Sequence, residues 1–313
     1  MLTTPQSLSW HPCLAGSQPV YETLQERNNL RQALGLSAAL QQREVLRIGD
    51  LHCELYPHAS EAPLIIFLPG ITTYVELYAV FLTALQGQGF NVLAVDLPGH
   101  GYSGGTRGDY RVAQVLKALQ SVLDIMQQRF SEPVGIYGYS IGALLAVALA
   151  ERDARVRSVL CGTLLVPDIP PDFFHQFGWQ WLSGTALLMP RMRLPLKQLL
   201  DLEALLTGRP AAGLMQHIRN DSRMVYDYPV ATLASLFSWR LGVVRRAYTS
   251  FMAAIVHGEH DEVLPASYSQ RLVNRLQHPF KLMTLRDEGH MLPWDNPAVM
   301  AALAAGWFAG TLT

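Results

Sequence analysis

Ser140, Asp261 and His290 are far apart in the chain, yet together they could carry out acyl transfer. A serine hydroxyl is a weak nucleophile. It needs a base within hydrogen-bond reach, and the base needs an acceptor that orients it. Ser140 stands in Gly138-Tyr139-Ser140-Ile141-Gly142. An apolar run at 134–137 precedes it, and the Ala/Leu-rich run 143–150 follows. This order predicts a buried strand, a tight turn on small residues and a helix, with the hydroxyl held out at the strand's end. Asp261 lies in Gly258-Glu259-His260-Asp261-Glu262-Val263-Leu264-Pro265, and His290 in Arg286-Asp287-Glu288-Gly289-His290-Met291. Each stretch follows a strand-like run. In such an arrangement His290 would take the serine proton and later give it to the leaving group. Asp261 would hold the imidazole in the required tautomer. Glu259 and Glu262 are the acidic rivals, and His260 is the nearest rival base.

Attack on an acyl carbon places negative charge on its oxygen, and two backbone N–H groups are the expected stabilisers. One is that of Ile141, opening the helix after the nucleophile. The other lies in the loop after Leu68-Pro69-Gly70, with Ile71 preferred and Thr72 the alternative if the loop folds differently. Asp287 and Glu288 read as solvated loop charges. His11, His52, His58, His175, His217, His257 and His278 lack a comparable constellation and read as surface or packing residues.

Such residues meet only if the elements between them form a parallel sheet, whose loops gather at one carboxyl edge. The pattern predicts this. Residues 20–41 read as helical, and 44–57 as a hairpin about Gly49-Asp50. Strands are expected at 64–68, 90–95, 134–137, 157–161, 251–256 and 280–285. Helices are expected at 74–86, 110–129, from Ser140 onward, at 266–276 and at 296–309. The fold class is therefore α/β, with a mostly parallel sheet covered on both faces. The rhythm breaks between 166 and 248. Prolines recur there, with helical-looking runs at 194–206 and 231–247, and this stretch reads as a mainly helical insertion. Three parts follow: an amino-terminal extension at 1–42, a core at 43–165 and 249–313, and the insertion at 166–248.

The 313 residues, half of them hydrophobic and 16% charged, suffice for a large core. A formal net charge of -1 gives no reason to expect nucleic acid or an anionic membrane as partner. Cys13, Cys53 and Cys161 are too few and too scattered for a disulfide framework or a metal site, and Cys161 reads as a buried small hydrophobe. Neither a secretory signal nor a membrane-spanning run is evident, and a cytoplasmic protein is the expectation. No phosphate loop of the G-x-x-x-x-G-K-[ST] type occurs. The spacing G-x-G-x-x-G is met at Gly99–Gly104, but a second glycine-rich stretch follows where a helix should run, so no nucleotide cofactor is expected. Asp96, His100 and Asp109 lack metal-ligand spacing, and no metal is expected.

From about residue 43 the chain resembles the α/β-hydrolase superfamily. The resemblance rests on the serine turn at 138–142, the acid loop at 258–265 and Glu288-Gly289-His290, in the serine–acid–histidine order. Asp96-Leu97-Pro98-Gly99-His100-Gly101-Tyr102-Ser103 also looks like that superfamily's loop after the fourth strand, which makes His100 a loop-shaping residue. Within it the chain looks most like the lysophospholipase, monoacylglycerol-lipase and serine-aminopeptidase-like group. The resemblance implies a cap over the site at 166–248, with Asn220-Asp221-Ser222 matching a short segment without catalytic part. It implies a serine esterase acting on an apolar, lipid-like ester such as a monoacylglycerol or lysophospholipid, with transient contact at a lipid interface. Amide or peptide hydrolysis and a non-catalytic ligand-binding scaffold are the alternatives. Pro69-Gly70 stands where many relatives have His-Gly, so a histidine side chain cannot assist there. Phe173, Phe174, Phe177, Trp179, Trp181, Leu182, Leu187, Leu188 and Met189 would either line an acyl site or join cap to core.

Overall fold

The computed structural model describes residues 22–130, 133–196, 217–218 and 221–312. Its centre is an eight-stranded sheet built from β1 (Glu44–Ile48), β2 (Leu51–Tyr56), β3 (Leu64–Leu68), β4 (Asn91–Val95), β5 (Val134–Tyr139), β6 (Val156–Gly162), β9 (Met252–Gly258) and β10 (Phe280–Leu285). The order across the sheet is β1-β2-β4-β3-β5-β6-β9-β10. Only the contacts of β2 are antiparallel. The strands from β4 through β10 pair in parallel. Strands β3, β4 and β5 are buried along their whole length and mostly apolar, because both faces are covered.

On one face lie α4 (Val112–Met126), α5 (Ile141–Ala150) and α8 (Ala266–Arg275); on the other lie α3 (Ala79–Gln86) and α9 (Pro297–Ala309). All ten residues of α5 are buried, as its unbroken Ala/Leu/Val composition requires. From β3 the chain goes to β4 on one side and then returns to β5 on the other. This reversal makes the carboxyl ends of β3 and β5 a topological switch point, the usual place for a ligand in an open parallel sheet.

Several boundaries differ from the sequence pattern. The helix expected over 20–41 is two pieces, α1 (Leu24–Ala33) and α2 (Ser37–Leu40), because Gly35 between them adopts a φ of 68°. The helix expected from residue 74 opens as a 3-10 turn, Val75–Tyr78. In the 166–248 stretch, α6 (Phe173–Leu188) and α7 (Val230–Phe237) flank a short antiparallel pair, β7 (Arg193–Pro195) with β8 (Asp227–Pro229). Leu194 is therefore extended, and the rest of the expected 194–206 helix beyond residue 196 lies outside the described residues, as do Cys13, His11 and Asn220. The 231–247 run stops being helical at Phe237, and Gly242–Val244 forms a 3-10 turn.

The apolar residues of α6 also divide. Leu182 is buried and Trp179 stacks on Phe237 at 5.4 Å, so these two join α6 to its neighbours. Phe173, Phe174, Phe177, Trp181, Leu187, Leu188 and Met189 are exposed. Among the described residues no helix is long and apolar enough to cross a membrane.

The amino-terminal helix is held by charge. Arg27 is buried and donates to Asp221 at 2.8 Å and to the Tyr74 hydroxyl at 2.6 Å. Arg31 and Arg43 converge with it on buried Glu76. The Asp96–Ser103 loop is shaped as its sequence suggests. Asp96 accepts the N–H of Val75 at 2.7 Å and of Tyr102 at 2.9 Å, and Ser103 donates to the Asp96 carbonyl.

Candidate active site

Ser140 is the hinge between β5 and α5, with φ 54° and ψ -119°. Its N–H continues the sheet ladder, donating to the Gly162 carbonyl at 2.7 Å. The neighbouring glycines are needed for close approach. A methyl group on Gly142 would meet the Leu68 carbonyl oxygen at 2.3 Å, and one on Gly70 would lie 3.4 Å from Ser140 Cβ. The end of β3 is thus pressed directly against the serine turn.

The loops after β9 and β10 also touch. A methyl on Gly258 would stand 2.4 Å from the Gly289 carbonyl oxygen. That contact brings Asp261 and His290 together: His290 Nδ1–H donates to Asp261 Oδ2 at 2.9 Å. Thr163 Oγ1–H donates to the same oxygen at 2.8 Å. Oδ1 accepts the N–H groups of Val263 and Leu264 at 2.8 and 2.9 Å. Burial by itself would raise the Asp261 pKa. The adjacent His290 ring and the converging donors outweigh it and hold the carboxyl at about 2, so it is an anion at neutral pH.

His290 is fixed through its backbone as well. Its N–H donates to Glu262 Oε2 at 3.1 Å, and its carbonyl accepts from the Tyr139 hydroxyl at 2.6 Å. Glu262, an acidic rival in the sequence, therefore holds the histidine main chain while Asp261 holds its ring. Tyr139, next to Ser140, ties the serine strand to the histidine loop. Among the described residues no hydrogen bond joins Ser140 Oγ to His290. The contact closed in this structure is His290 with Asp261, and serine–histidine contacts commonly tighten only with substrate bound.

Of the candidate oxyanion donors, Ile141 opens α5 and Ile71 follows Gly70. The Thr72 N–H already donates to the Tyr228 hydroxyl at 2.9 Å. The Thr72 N–H thus has a protein partner of its own.

His257 is a buried neighbour that the sequence did not mark out. Its Nε2 lies 3.8 Å from Asp261 Oδ2 but 2.9 Å from the Leu264 carbonyl, and its Nδ1 lies 2.7 Å from Ser269 Oγ. The carbonyl requires a proton on Nε2, so Nδ1 accepts from Ser269 and neither nitrogen is free to act as a base. Burial lowers its pKa and keeps the ring neutral. Its signal was only a histidine ending an apolar strand. Thr163 gave no signal at all. Glu259, His260 and Asp287 form an exposed surface trio. Cys161 is fully buried and its thiol is pushed up well beyond neutral pH.

Backbone strain concentrates here. Among the described residues, the non-glycine positions with positive φ are Thr72, Ser140, Thr163 and Asp287. They follow β3, β5, β6 and β10, all at the carboxyl edge. Such conformations cost free energy and persist where the surroundings over-determine them, which is typical of functional sites.

A topological switch point, a strained serine turn and an acid–histidine pair on the loops after β9 and β10 define the α/β-hydrolase class. The family model described as "Serine aminopeptidase, S33" matches residues 59–295, and the chain belongs to that family of hydrolases. An uncharacterized protein of Mycobacterium tuberculosis (strain ATCC 25618 / H37Rv) is 25% identical over 260 residues, spanning 77% of this chain and 73% of that protein. The crystal structure of the Paleococcus ferrophilus monoacylglycerol lipase superposes with a TM-score of 0.65 at 20% identity, over 83% of this chain and 98% of that one. A thermostable carboxyl esterase from Bacillus coagulans, in complex with glycerol, gives a TM-score of 0.67 at 16% identity, over 87% and 99%.

Proposed function

We propose that this hydrolase cleaves carboxylic esters of apolar acyl groups through a serine-bound acyl intermediate. One observation carries the reading: the His290–Asp261 hydrogen bond stands at the same sheet edge as the strained Ser140. In the proposed reaction Ser140 Oγ bonds to the substrate carbonyl carbon, and its proton passes to His290 Nε2. The N–H groups of Ile71 and Ile141 stabilise the oxyanion. Collapse breaks the ester C–O bond, and the alcohol leaves with the proton from His290. Water, deprotonated by His290, then releases the acid and restores Ser140. Asp261 keeps the proton of the resting imidazole on Nδ1.

Residues 166–248 act in this proposal as a cap over Ser140. The exposed Phe173, Phe174 and Phe177 on α6 would give the cap transient contact with a lipid interface. The lipase and esterase among the structural neighbours support a lipid-like small ester as substrate. The family's description favours a second reading, amide hydrolysis at an amino-terminal residue. Aminoacyl amides matched to the esters in acyl structure separate the two.

The test uses a fluorophosphonate and a series of p-nitrophenyl esters of increasing chain length. Wild type should be labelled and should turn over the esters, whereas Ser140→Ala should do neither. Ester turnover that survives Ser140→Ala removes the proposal.

A further inference from the structure

Thr72 is a β-branched residue at φ 70°, a conformation it would not adopt unaided. Both of its backbone polar groups are held from one distant segment. Its carbonyl accepts the Val225 N–H at 2.9 Å, and its N–H donates to the Tyr228 hydroxyl at 2.9 Å. Tyr228 is fully buried and lies 2.6 Å from Nε2 of His100, also fully buried. The other ring nitrogen, Nδ1, lies 3.0 Å from the Pro98 carbonyl. A carbonyl only accepts, so Nδ1 carries the proton and Nε2 must accept from Tyr228. The direction of the chain is thereby settled: Thr72 N–H to Tyr228 O–H to His100 Nε2. Burial keeps the imidazole neutral by pushing its pKa down to about 3. The same segment grips the loop again two residues on, where the Tyr74 hydroxyl donates to Asp221 at 2.5 Å.

The Gly70–Ile71 peptide, one further back, is fixed too. The Gly70 carbonyl accepts from Thr73 Oγ1 at 2.9 Å, and the peptide is trans, so the Ile71 N–H points the opposite way. We propose that Tyr228, held by His100, is a positioning residue for hydrolysis: it clamps the strained Thr72 and so keeps the Ile71 N–H aimed at the developing oxyanion. The inference rests on the ester-hydrolase reading above.

Tyr228→Phe tests it by deleting one oxygen. Loss of a whole oxyanion donor costs roughly 10²–10³ in kcat. Loosening one should cost about 10- to 100-fold in kcat, with KM changed less than about twofold, since the ground state gains little from that donor. Fluorophosphonate labelling of Ser140 should slow by a similar factor, because the adduct needs the same donors. The nitrogen NMR signature of His100 should lose its Nε2 hydrogen bond. Tyr110→Phe is the control: this buried tyrosine packs 5.6 Å from His100, and among the described residues its hydroxyl has no hydrogen-bond partner. It should leave kcat unchanged. If Tyr228→Phe folds poorly, the comparison is made in a Thr72→Gly background, which relieves the positive φ and keeps both hydrogen-bonding groups. A kcat within about twofold of its background, in folded protein, overturns the proposal. Wild type that is neither labelled at Ser140 nor active on esters overturns the ester-hydrolase reading and this inference together. Active wild type with an indifferent Tyr228→Phe overturns the inference alone.

Discussion

Asp261→Asn is the sharpest test of the acid assignment, because the surrounding donors dictate how the new amide must lie. Oδ1 of Asp261 accepts two backbone N–H groups, from Val263 and Leu264. The asparagine oxygen has to stay there, so its NH₂ takes the place of Oδ2, facing His290 Nδ1 and Thr163 Oγ1. Thr163 can rotate its hydroxyl and accept. His290 can accept only by moving its proton to Nε2, and the nitrogen meant to act as the base is then blocked. A wrong tautomer in an otherwise intact site costs roughly 10³–10⁴ in kcat, or about 4–5 kcal/mol of barrier. The change should also alter acid stability. The wild-type carboxyl is held at about 2 against an ordinary 3.8. A lowered carboxyl pKa stabilises the folded state above the ordinary value, and this gain is lost as pH falls from about 4 to about 2. Its size is roughly 2 kcal/mol. Asp261→Asn should lack that loss. The assays are kcat on a p-nitrophenyl ester at pH 7 and denaturant unfolding across the acid range. Glu262→Gln is the companion, since a glutamine oxygen can still accept the His290 N–H. An Asp261→Asn enzyme within about tenfold of wild type, beside an inactive Glu262→Gln, would refute the reasoning.

Gly142→Ala should destabilise the protein by about 1–3 kcal/mol and lower kcat. Its methyl would need the space of the Leu68 and Pro69 carbonyl oxygens, at 2.3 and 2.7 Å, and would push the β3 loop off the serine turn. Arg27→Met leaves buried Asp221 and Glu76 each short of a partner, and unfolding measurements should show a loss of about 3–5 kcal/mol. By contrast Glu44→Gln, which breaks an exposed pair with Arg129, should cost under about 1 kcal/mol. Equal costs for these last two would contradict the buried network.

What the sequence made legible was local. The apolar runs marked β3, β4, β5 and β9 because strands covered on both faces admit polar residues only where these find partners, as Asn91 and His257 do. Ser140 was legible because two glycines at fixed offsets are a steric requirement of the turn. Illegible were the partners that act across long separations. Thr163 meets Asp261 98 residues away, Tyr228 meets Thr72 156 residues away, and Arg27 meets Asp221 194 residues away. Nothing in a neighbouring residue announces such a pairing. The apolar residues of α6 were ambiguous in another way. Their density fitted either an acyl site or a joint between cap and core; among the described residues Trp179 and Leu182 pack inward, and Phe173, Phe174, Phe177 and Trp181 face solvent.

The strained residues explain why so many distant partners are needed. Each positive φ in a non-glycine residue costs on the order of 1–3 kcal/mol, and a loop alone would relax it. At this edge the sheet ladder runs past the strand ends into the strained positions. Ser140 N–H reaches the Gly162 carbonyl, and Thr163 N–H reaches the Val256 carbonyl. Thr163 then uses its side chain on Asp261, so the residue that extends the ladder also orients the acid. Among the described residues no neighbouring strand continues past Leu68 to Thr72, and Tyr228 and Val225 supply from the 221–228 segment what the sheet supplies to Ser140 and Thr163. The serine and acid positions are thus as rigid as the sheet, while the β3 loop is as rigid as its contacts with that segment. Displacing residues 221–228 should therefore disturb the proposed oxyanion donor before it disturbs the His290–Asp261 pair.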